Sequence, residues 1–208
     1  MIVIDNISKE FDSNVVLKDV YMNLEQGKIY GFQGINGSGK TVLFKIICGF
    51  VAPTFGKIII NEKEIGKDRD FPESCGVIIE DSGFIERFSG YKNLELLADI
   101  TRIASKEDII KWMEFFDLDP KSKKKVKNYS LGMKKKLALI QAVMEKQKII
   151  ILDEPMNALD EKSVIKTRQL LKTLKKDSII LISSHNKEDL EELCDEIFNI
   201  CDGVVTKI

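Results

Sequence analysis

One octapeptide near the start of the chain constrains the fold more than any other feature. The run GINGSGKT, residues 34–41, follows a β-rich segment at 28–32 and precedes an apolar segment at 41–50 that predicts a buried helix. This strand–loop–helix order matches the P-loop pattern G-x-x-x-x-G-K-[ST], whose backbone N–H groups surround phosphate oxygens. The sequence therefore predicts an α/β fold that carries a nucleotide phosphate at this loop.

The residue types in this loop indicate how it would bind phosphate. Its glycines let backbone N–H groups curl inward without a Cβ clash, and the helix that follows adds its positive dipole end. Lys40 is predicted to place its charge against the β and γ phosphates, and the Thr41 hydroxyl to ligate Mg²⁺. The predicted phosphate-binding set is the whole loop: Gly34, Ile35, Asn36, Gly37, Ser38, Gly39, Lys40 and Thr41.

Two further apolar runs end in polar residues. The run KIIILDEP ends in Asp153 and Glu154, and a second Ile/Leu-rich run, residues 178–183, is followed by His185, the only histidine. Ligands of open parallel sheets bind at the carboxyl ends of the strands, so these side chains should face the phosphates. Asp153 is predicted to organise Mg²⁺, and Glu154 to orient or deprotonate the attacking water. His185 is predicted to hydrogen-bond the γ-phosphate or that water.

The remaining patterns predict one domain, residues 1–208, with an inserted helical part. Short strands are predicted at 1–4, 15–21, 57–60 and 76–79, helical spacing at 91–145, a helix at 162–176 and an Asp-Gly hairpin at 201–204. The fold class is thus a P-loop NTPase core of mainly parallel strands, preceded by an antiparallel β part. A helical subdomain is expected at about 82–146.

Composition removes several classes of protein. The 32 basic and 33 acidic residues give a formal net charge of −1, which disfavours a general nucleic-acid binder. The apolar runs are far shorter than the roughly 20 residues of a membrane span, and the N-terminus has no signal-peptide pattern. The four cysteines form no CxxC pair and are interpreted as buried reduced thiols. Residues 121–136 hold eight lysines and no acid, which is typical of a solvated surface.

Several motifs in a fixed order resemble the nucleotide-binding domain of ATP-binding cassette (ABC) transporters over essentially the whole chain. YSLGM, residues 129–133, resembles the family's signature segment, and residues 157–160, Asn-Ala-Leu-Asp, resemble its D-loop. The resemblance implies that Phe11 stacks on adenine. It also implies that Ser130 and the Gly132 N–H bind the γ-phosphate of ATP held by a second cassette.

Two departures from the family's usual pattern indicate a particular subfamily. Glu80, within GVIIEDSGF, stands where the family has a glutamine that contacts Mg²⁺, and it is expected to be a third metal-site residue beside Thr41 and Asp153. Leu131 and Met133 replace the Gly and Gln of the signature segment. Both departures are similar to the bacitracin- and lantibiotic-export subfamily.

The resemblance implies an ATP-binding, ATP-hydrolysing subunit that powers a membrane transporter and uses ATP and Mg²⁺. The subfamily likeness implies an exporter of antimicrobial peptides or drugs. The implied partners are a separate transmembrane permease and a second cassette in an ATP-dependent dimer, on the cytoplasmic face of the cell membrane; no nucleic acid is expected. Two alternatives remain open from the sequence: a small P-loop kinase, and a non-transport ABC ATPase that acts on nucleic acid or ribosomes.

Overall fold

The computed structural model describes residues 1–80 and 83–208, which form two β-sheets and six α-helices within that part of the chain. The strands are β1 (Ile2–Phe11), β2 (Asn14–Leu24), β3 (Ile29–Gln33), β4 (Phe55–Ile60), β5 (Lys63–Glu64), β6 (Cys75–Ile78), β7 (Ile149–Leu152), β8 (Ile179–Ser183), β9 (Glu196–Cys201) and β10 (Val204–Lys207). The helices are α1 (Lys40–Ile47), α2 (Gly90–Thr101), α3 (Lys106–Phe115), α4 (Leu131–Val143), α5 (Glu161–Leu174) and α6 (Lys187–Leu193).

The larger sheet is the mainly parallel core that the sequence predicts. Its order is β10-β9-β3-β8-β7-β6, and every neighbouring pair is parallel except β9 with β10. The central strands β7 and β8 are buried at every position, because layers of the protein cover both faces of the sheet. Their carboxyl ends therefore meet at one edge, next to the loop that follows β3.

The smaller sheet, in the order β2-β1-β4-β5, is the antiparallel part. Its first two strands are longer than the predicted segments 1–4 and 15–21. Register shifts between β1 and β2 interrupt the alternation of apolar and polar residues, so the pattern stops before the strands do. Asn6 and Asp19, both at positive φ, lie within these irregular stretches.

The helical part lies between β6 and β7, and each of its three helices starts at a serine cap. The hydroxyls of Ser89, Ser105 and Ser130 accept N–H groups of the first turns of α2, α3 and α4. The helices share an apolar core that includes Leu94, Met113, Phe116 and Leu137. The expected start of this subdomain at residue 82 lies outside the described residues, and the described helices cover 90–143.

The last third of the chain returns to the core sheet. Asp160 caps α5, and the chain then enters β8, as the strand–helix–strand pattern predicts. The predicted Asp-Gly turn joins β9 to β10, with both residues at positive φ. The four cysteines are free, but only Cys48 is buried. Cys75 and Cys194 are partly buried, and Cys201 is exposed because it ends β9, next to the edge strand of the sheet. Within the described residues, no helix has the length and apolar character needed to cross a bilayer.

Candidate functional site

The loop between β3 and α1 forms a cleft with the carboxyl end of β7. Gly39 precedes the helix at φ 108°, and a Cβ there would lie 2.9 Å from the Val16 carbonyl oxygen, so only glycine fits. The cleft has a volume of about 180 Å³. It is lined by Val16, Asn36, Gly37, Gly39, Lys40, Thr41, Val42, Asp153 and Glu154. The structure thus brings together loop residues and acids more than 100 positions apart, as 41 and 153 show.

Lys40 and Ser38 present polar groups at this loop. Lys40 is only 6% exposed, and its ammonium donates hydrogen bonds to the carbonyls of Gly34 at 2.7 Å and Ile35 at 3.0 Å. The Ser38 hydroxyl is buried and has no hydrogen-bond partner in the described part of the chain. A buried polar atom without a partner costs free energy. Phosphate oxygens at the loop would supply that partner.

Thr41 and Asp153 form a pair of oxygen donors at the base of the cleft. The Thr41 hydroxyl donates to one Asp153 carboxylate oxygen at 2.6 Å, and the Ser183 hydroxyl donates to the other. Mg²⁺ in nucleotide sites takes one or two protein oxygens and completes its shell with phosphate oxygens and water. This pair fits that donor set. No cluster of three or more His, Cys, Asp or Glu side chains suited to a metal occurs among the described residues.

Glu154 and His185 meet beside that pair. His185 Nδ1 lies 3.0 Å from a Glu154 carboxylate oxygen, and the two side chains are 64% and 22% exposed, respectively. Glu154 has a φ of 49°, a left-handed conformation that is uncommon for a residue with a side chain. Its backbone N–H donates to the Ser183 hydroxyl at 2.9 Å, which holds this conformation. Both side chains were predicted to lie at this edge of the sheet, and they are in contact in the structure.

Two polar residues near the acids were missed by the sequence analysis. Ser183 ends β8 and is the only fully buried polar residue of that strand. It was not predicted because it stands at the end of a continuous apolar run and looks like part of the strand. Lys135, on α4, is partly buried, and burial lowers its pKa, while attraction to Asp153 and Glu154 opposes that change. Lys135 lies four positions after the start of α4, between Lys134 and Lys136, and three lysines in a row give no pattern that separates one from the others. All three are partly buried, so the solvated surface predicted for residues 121–136 does not extend to them.

The segment around Ser130 lies apart from this cleft and against residues 157–160. Ser130 is exposed, caps α4 by accepting the Met133 N–H, and does not line the cleft. A Cβ on Gly132 would lie 2.7 Å from the Ala158 carbonyl oxygen, so this helix approaches the loop too closely for a side chain. Lys136 pairs with Asp160 at 3.0 Å and holds the pKa of that carboxyl well below its usual range.

Two predicted residues lie at other places. Phe11 is 43% exposed at the end of β1, with the Lys9 ammonium 4.6 Å from its ring centroid, and it does not line the cleft. Glu80 has a φ of 57° and pairs with Lys45, one helical turn beyond Thr41, at 2.7 Å. Its carboxylate therefore has a lysine partner rather than Thr41 or Asp153. The roles given to Phe11 and Glu80 stay predictions.

Comparison with known proteins identifies this architecture. A family model described as "ABC transporter" matches residues 17–157. The uncharacterised ABC transporter ATP-binding protein YybJ of Bacillus subtilis is 41% identical over 94% of this chain and 90% of its own. The lantibiotic transport ATP-binding protein SrtF of Streptococcus pyogenes is 33% identical over 99% and 89%. The bacitracin transport ATP-binding protein BcrA of Bacillus licheniformis is 34% identical over 95% of this chain and 66% of its own.

A solved structure confirms the fold. The dimeric post-hydrolysis ATP-binding cassette MJ0796, bound to ADP and Pi, superposes with a TM-score of 0.89 over 100% of this chain and 98% of that one, at 22% identity. The fold is therefore that of an ATP-binding cassette. The chain belongs to the ABC transporter family, and it is the ATP-binding, ATP-hydrolysing subunit of a transporter.

Proposed function

We propose that the cleft binds Mg-ATP and that the chain powers an exporter of antimicrobial peptides or drugs through a separate permease. The observation that carries the site assignment is the convergence of Lys40, Thr41, Asp153, Glu154 and His185 from three strand ends of one sheet. The likeness to relatives named for bacitracin and lantibiotic transport supports the export assignment.

Each side chain in the cleft has a role that its position supports. The loop N–H groups and Lys40 bind the phosphates, and the Ser38 hydroxyl gains a partner there. Thr41 and Asp153 would hold Mg²⁺, which, when bound, offsets charge on the phosphate oxygens. Ser183 fixes the orientation of the Asp153 carboxylate and of the Glu154 backbone. Phe11 supplies an apolar face for adenine, which its exposed ring at the strand end permits.

Hydrolysis would use Glu154 and His185. The Glu154 carboxylate accepts a hydrogen bond from the attacking water and takes up its proton as the water oxygen bonds to the γ-phosphorus. The bond from that phosphorus to the oxygen of ADP breaks in the same step. His185, 3.0 Å from Glu154, keeps the carboxylate in position and lies where the released γ-phosphate would be bound.

A second copy of the cassette would complete the site. Ser130 and Gly132 do not line the cleft of their own chain, so we expect them to contact nucleotide when a second cassette faces them. MJ0796, which has this fold, is described as a dimer. We therefore expect an ATP-dependent dimer in which each signature segment closes the other chain's site. Such a dimer would act at the cytoplasmic face of the membrane, bound to its permease.

The test is the variant Glu154→Gln, which keeps the shape of the side chain and removes the proton acceptor. We expect ATP hydrolysis to fall by about a hundredfold or more, and light scattering to show a dimer with Mg-ATP and a monomer without it. Glu191→Gln, at an exposed glutamate of α6, is the matched control and should behave as the parent. Equal hydrolysis by both variants would contradict the role of Glu154, and a nucleotide-independent oligomer would contradict the dimer.

The export assignment needs a separate measurement in the cell. A chromosomal Glu154→Gln replacement should increase sensitivity to peptide antibiotics of the bacitracin or lantibiotic type. The Glu191→Gln replacement should leave that sensitivity unchanged. Unaltered sensitivity of the Glu154→Gln cells to a panel of such compounds, with normal ATP hydrolysis by the purified parent protein, would reject export of these compounds and leave the ATPase assignment intact.

A further inference from the structure

A dense basic surface lies on the helical part, outside the nucleotide cleft. We name it the lysine loop, residues 121–127, and its five exposed lysines are Lys121, Lys123, Lys124, Lys125 and Lys127. Among the residues that the structure describes, none of these ammonium groups has a carboxylate partner, and Lys124 contacts only the Met133 sulfur, at 3.9 Å. By contrast, lysines such as Lys28 and Lys175 are paired.

Buried residues at both ends fix the shape of the lysine loop. Leu118 is 4% exposed and Val126 is 1% exposed, and both belong to the apolar core of the helical part. The backbone N–H of Val126 donates to the Phe88 carbonyl at 2.9 Å, and that of Lys127 to the Glu86 carbonyl at 3.1 Å. The loop is thus attached to the neighbouring segment, and its exposed lysines lie within seven consecutive residues of a fixed backbone.

The charge of this surface is local, since the whole chain has a net charge of −1. Arg87, on the segment that pairs with the loop, adds a further positive charge. The acids beside the loop are Glu86 and Asp119, and the Asp119 carboxylate accepts the Lys121 backbone N–H at 2.9 Å. Five lysines and one arginine against two acids leave a strongly positive patch. An anionic surface complements it.

The composition of the lysine loop distinguishes between two kinds of anionic partner, nucleic acid and phospholipid. Proteins that bind single-stranded nucleic acid combine charge with exposed aromatic or arginine stacking groups, and base recognition uses arginine forks. The loop itself has neither, because Tyr129 beside it is only 8% exposed and all cations within residues 121–127 are lysines. The one arginine of the patch, Arg87, already lies over the Phe88 ring, 5.2 Å from its centroid. Clusters of four to eight lysines or arginines without stacking groups are typical of binding to anionic phospholipid headgroups.

We propose that the lysine loop binds the anionic phospholipid surface of the membrane. The proposal rests on the proposed function in one respect, since that function places the subunit beside the membrane. The lysines act as point charges that need no defined contact geometry, so binding is additive and sensitive to salt. Such binding would hold the helical part, and with it the nearby signature segment, at the membrane surface independently of the permease.

The experiment is sedimentation of the full chain with vesicles. One set of vesicles contains two parts phosphatidylcholine to one part phosphatidylglycerol, and the other only phosphatidylcholine. We expect binding to the first set alone, at low ionic strength, and its loss at about 0.5 M salt. Replacing Lys121, Lys123, Lys124 and Lys127 with glutamine should lower the partition coefficient by about tenfold or more.

A matched control carries the same change in charge at scattered sites. It replaces Lys63, Lys111, Lys148 and Lys172, which are exposed and far apart in sequence, with glutamine. This variant should keep most of the binding, and both variants should hydrolyse ATP as the parent does. Equal loss in both variants, or no binding by the parent, would overturn the proposal. Stronger binding of the parent to single-stranded RNA, lost in the loop variant, would replace it with a nucleic-acid partner. ATP hydrolysis, measured in the same samples, tests the proposed function separately.

Discussion

Replacing Ser183 with alanine removes one hydroxyl that serves both acids of the site. Ser183 is completely buried, donates to Asp153, and accepts the Glu154 backbone N–H at 2.9 Å. The substitution leaves the helix and sheet contacts of β8 unchanged, because the lost atom points toward β7. It therefore tests whether the geometry of the two acids depends on a residue that touches neither substrate nor metal.

The magnitude follows from the two lost hydrogen bonds. A bond to a charged group contributes about 1.5–3 kcal/mol, and a partly buried N–H left without a partner costs about 1–3 kcal/mol. Water can replace part of the two lost hydrogen bonds, so we expect the free energy of unfolding to fall by about 2–4 kcal/mol. For a chain of this size that corresponds to a Tm lower by about 4–16 °C. A displaced Glu154 should lower kcat by about tenfold or more, with little change in ATP affinity.

Ser178→Ala is the matched control, since Ser178 lies just before the other end of the same strand. Its buried hydroxyl donates to the Gln147 carbonyl at 2.6 Å, away from the cleft. This variant should lower Tm by a similar or smaller amount and keep kcat. The assays are calorimetry and steady-state ATP hydrolysis well below both Tm values. A kcat within twofold of the parent in Ser183→Ala, or an equal loss of kcat in Ser178→Ala, would refute the positioning role.

Two further predictions concern charged residues near the loop. Lys40→Ala should weaken ATP binding by about tenfold or more, because charge-assisted bonds contribute about 1.5–3 kcal/mol each; parental affinity in a fluorescence titration would contradict the P-loop assignment. Glu80→Gln breaks the exposed ion pair with Lys45 and should change stability by less than about 1 kcal/mol. It should nevertheless alter the Mg²⁺ dependence of hydrolysis while ATP affinity stays within about twofold, and superimposable Mg²⁺ profiles for variant and parent would exclude Glu80 from the metal site.

The parts of the molecule that the sequence predicts are those determined by local patterns. Continuous Ile/Leu runs indicate the buried strands β7 and β8, and the glycine spacing of residues 34–41 indicates the loop between a strand and a helix. Asp153 and Glu154 are predictable as site residues because the end of a parallel strand has a known relation to the ligand. The irregular pairing of β1 with β2 is not predictable from the sequence, since bulges remove the alternation of apolar and polar residues on which strand prediction depends.

Long-range contacts account for what the sequence does not predict. The roles of Ser183 and Lys135 depend on which strands and helices become neighbours, and no spacing within either segment records this. The pairing of Glu80 with Lys45 is of the same kind, because it joins residues from α1 and from the end of β6. Phe11 is a further case, since its exposure depends on the length of the β1–β2 hairpin.

The close approach of Gly132 to Ala158, together with the Lys136–Asp160 pair, has a consequence for how two sites would communicate. Residues 157–160 begin three positions after Glu154, so a displacement of this residue would be transmitted along the backbone to the loop that contacts α4. That helix carries Ser130, which in the proposed dimer contacts the nucleotide of the other chain. The two ATP sites of the dimer would then be coupled through the contact between residues 157–160 and α4 in each subunit. Hydrolysis at one site would change the contacts of Ser130 with the nucleotide at the other site. A side chain at position 132 would push α4 away from Ala158 and remove this coupling, so that the two sites would hydrolyse ATP independently.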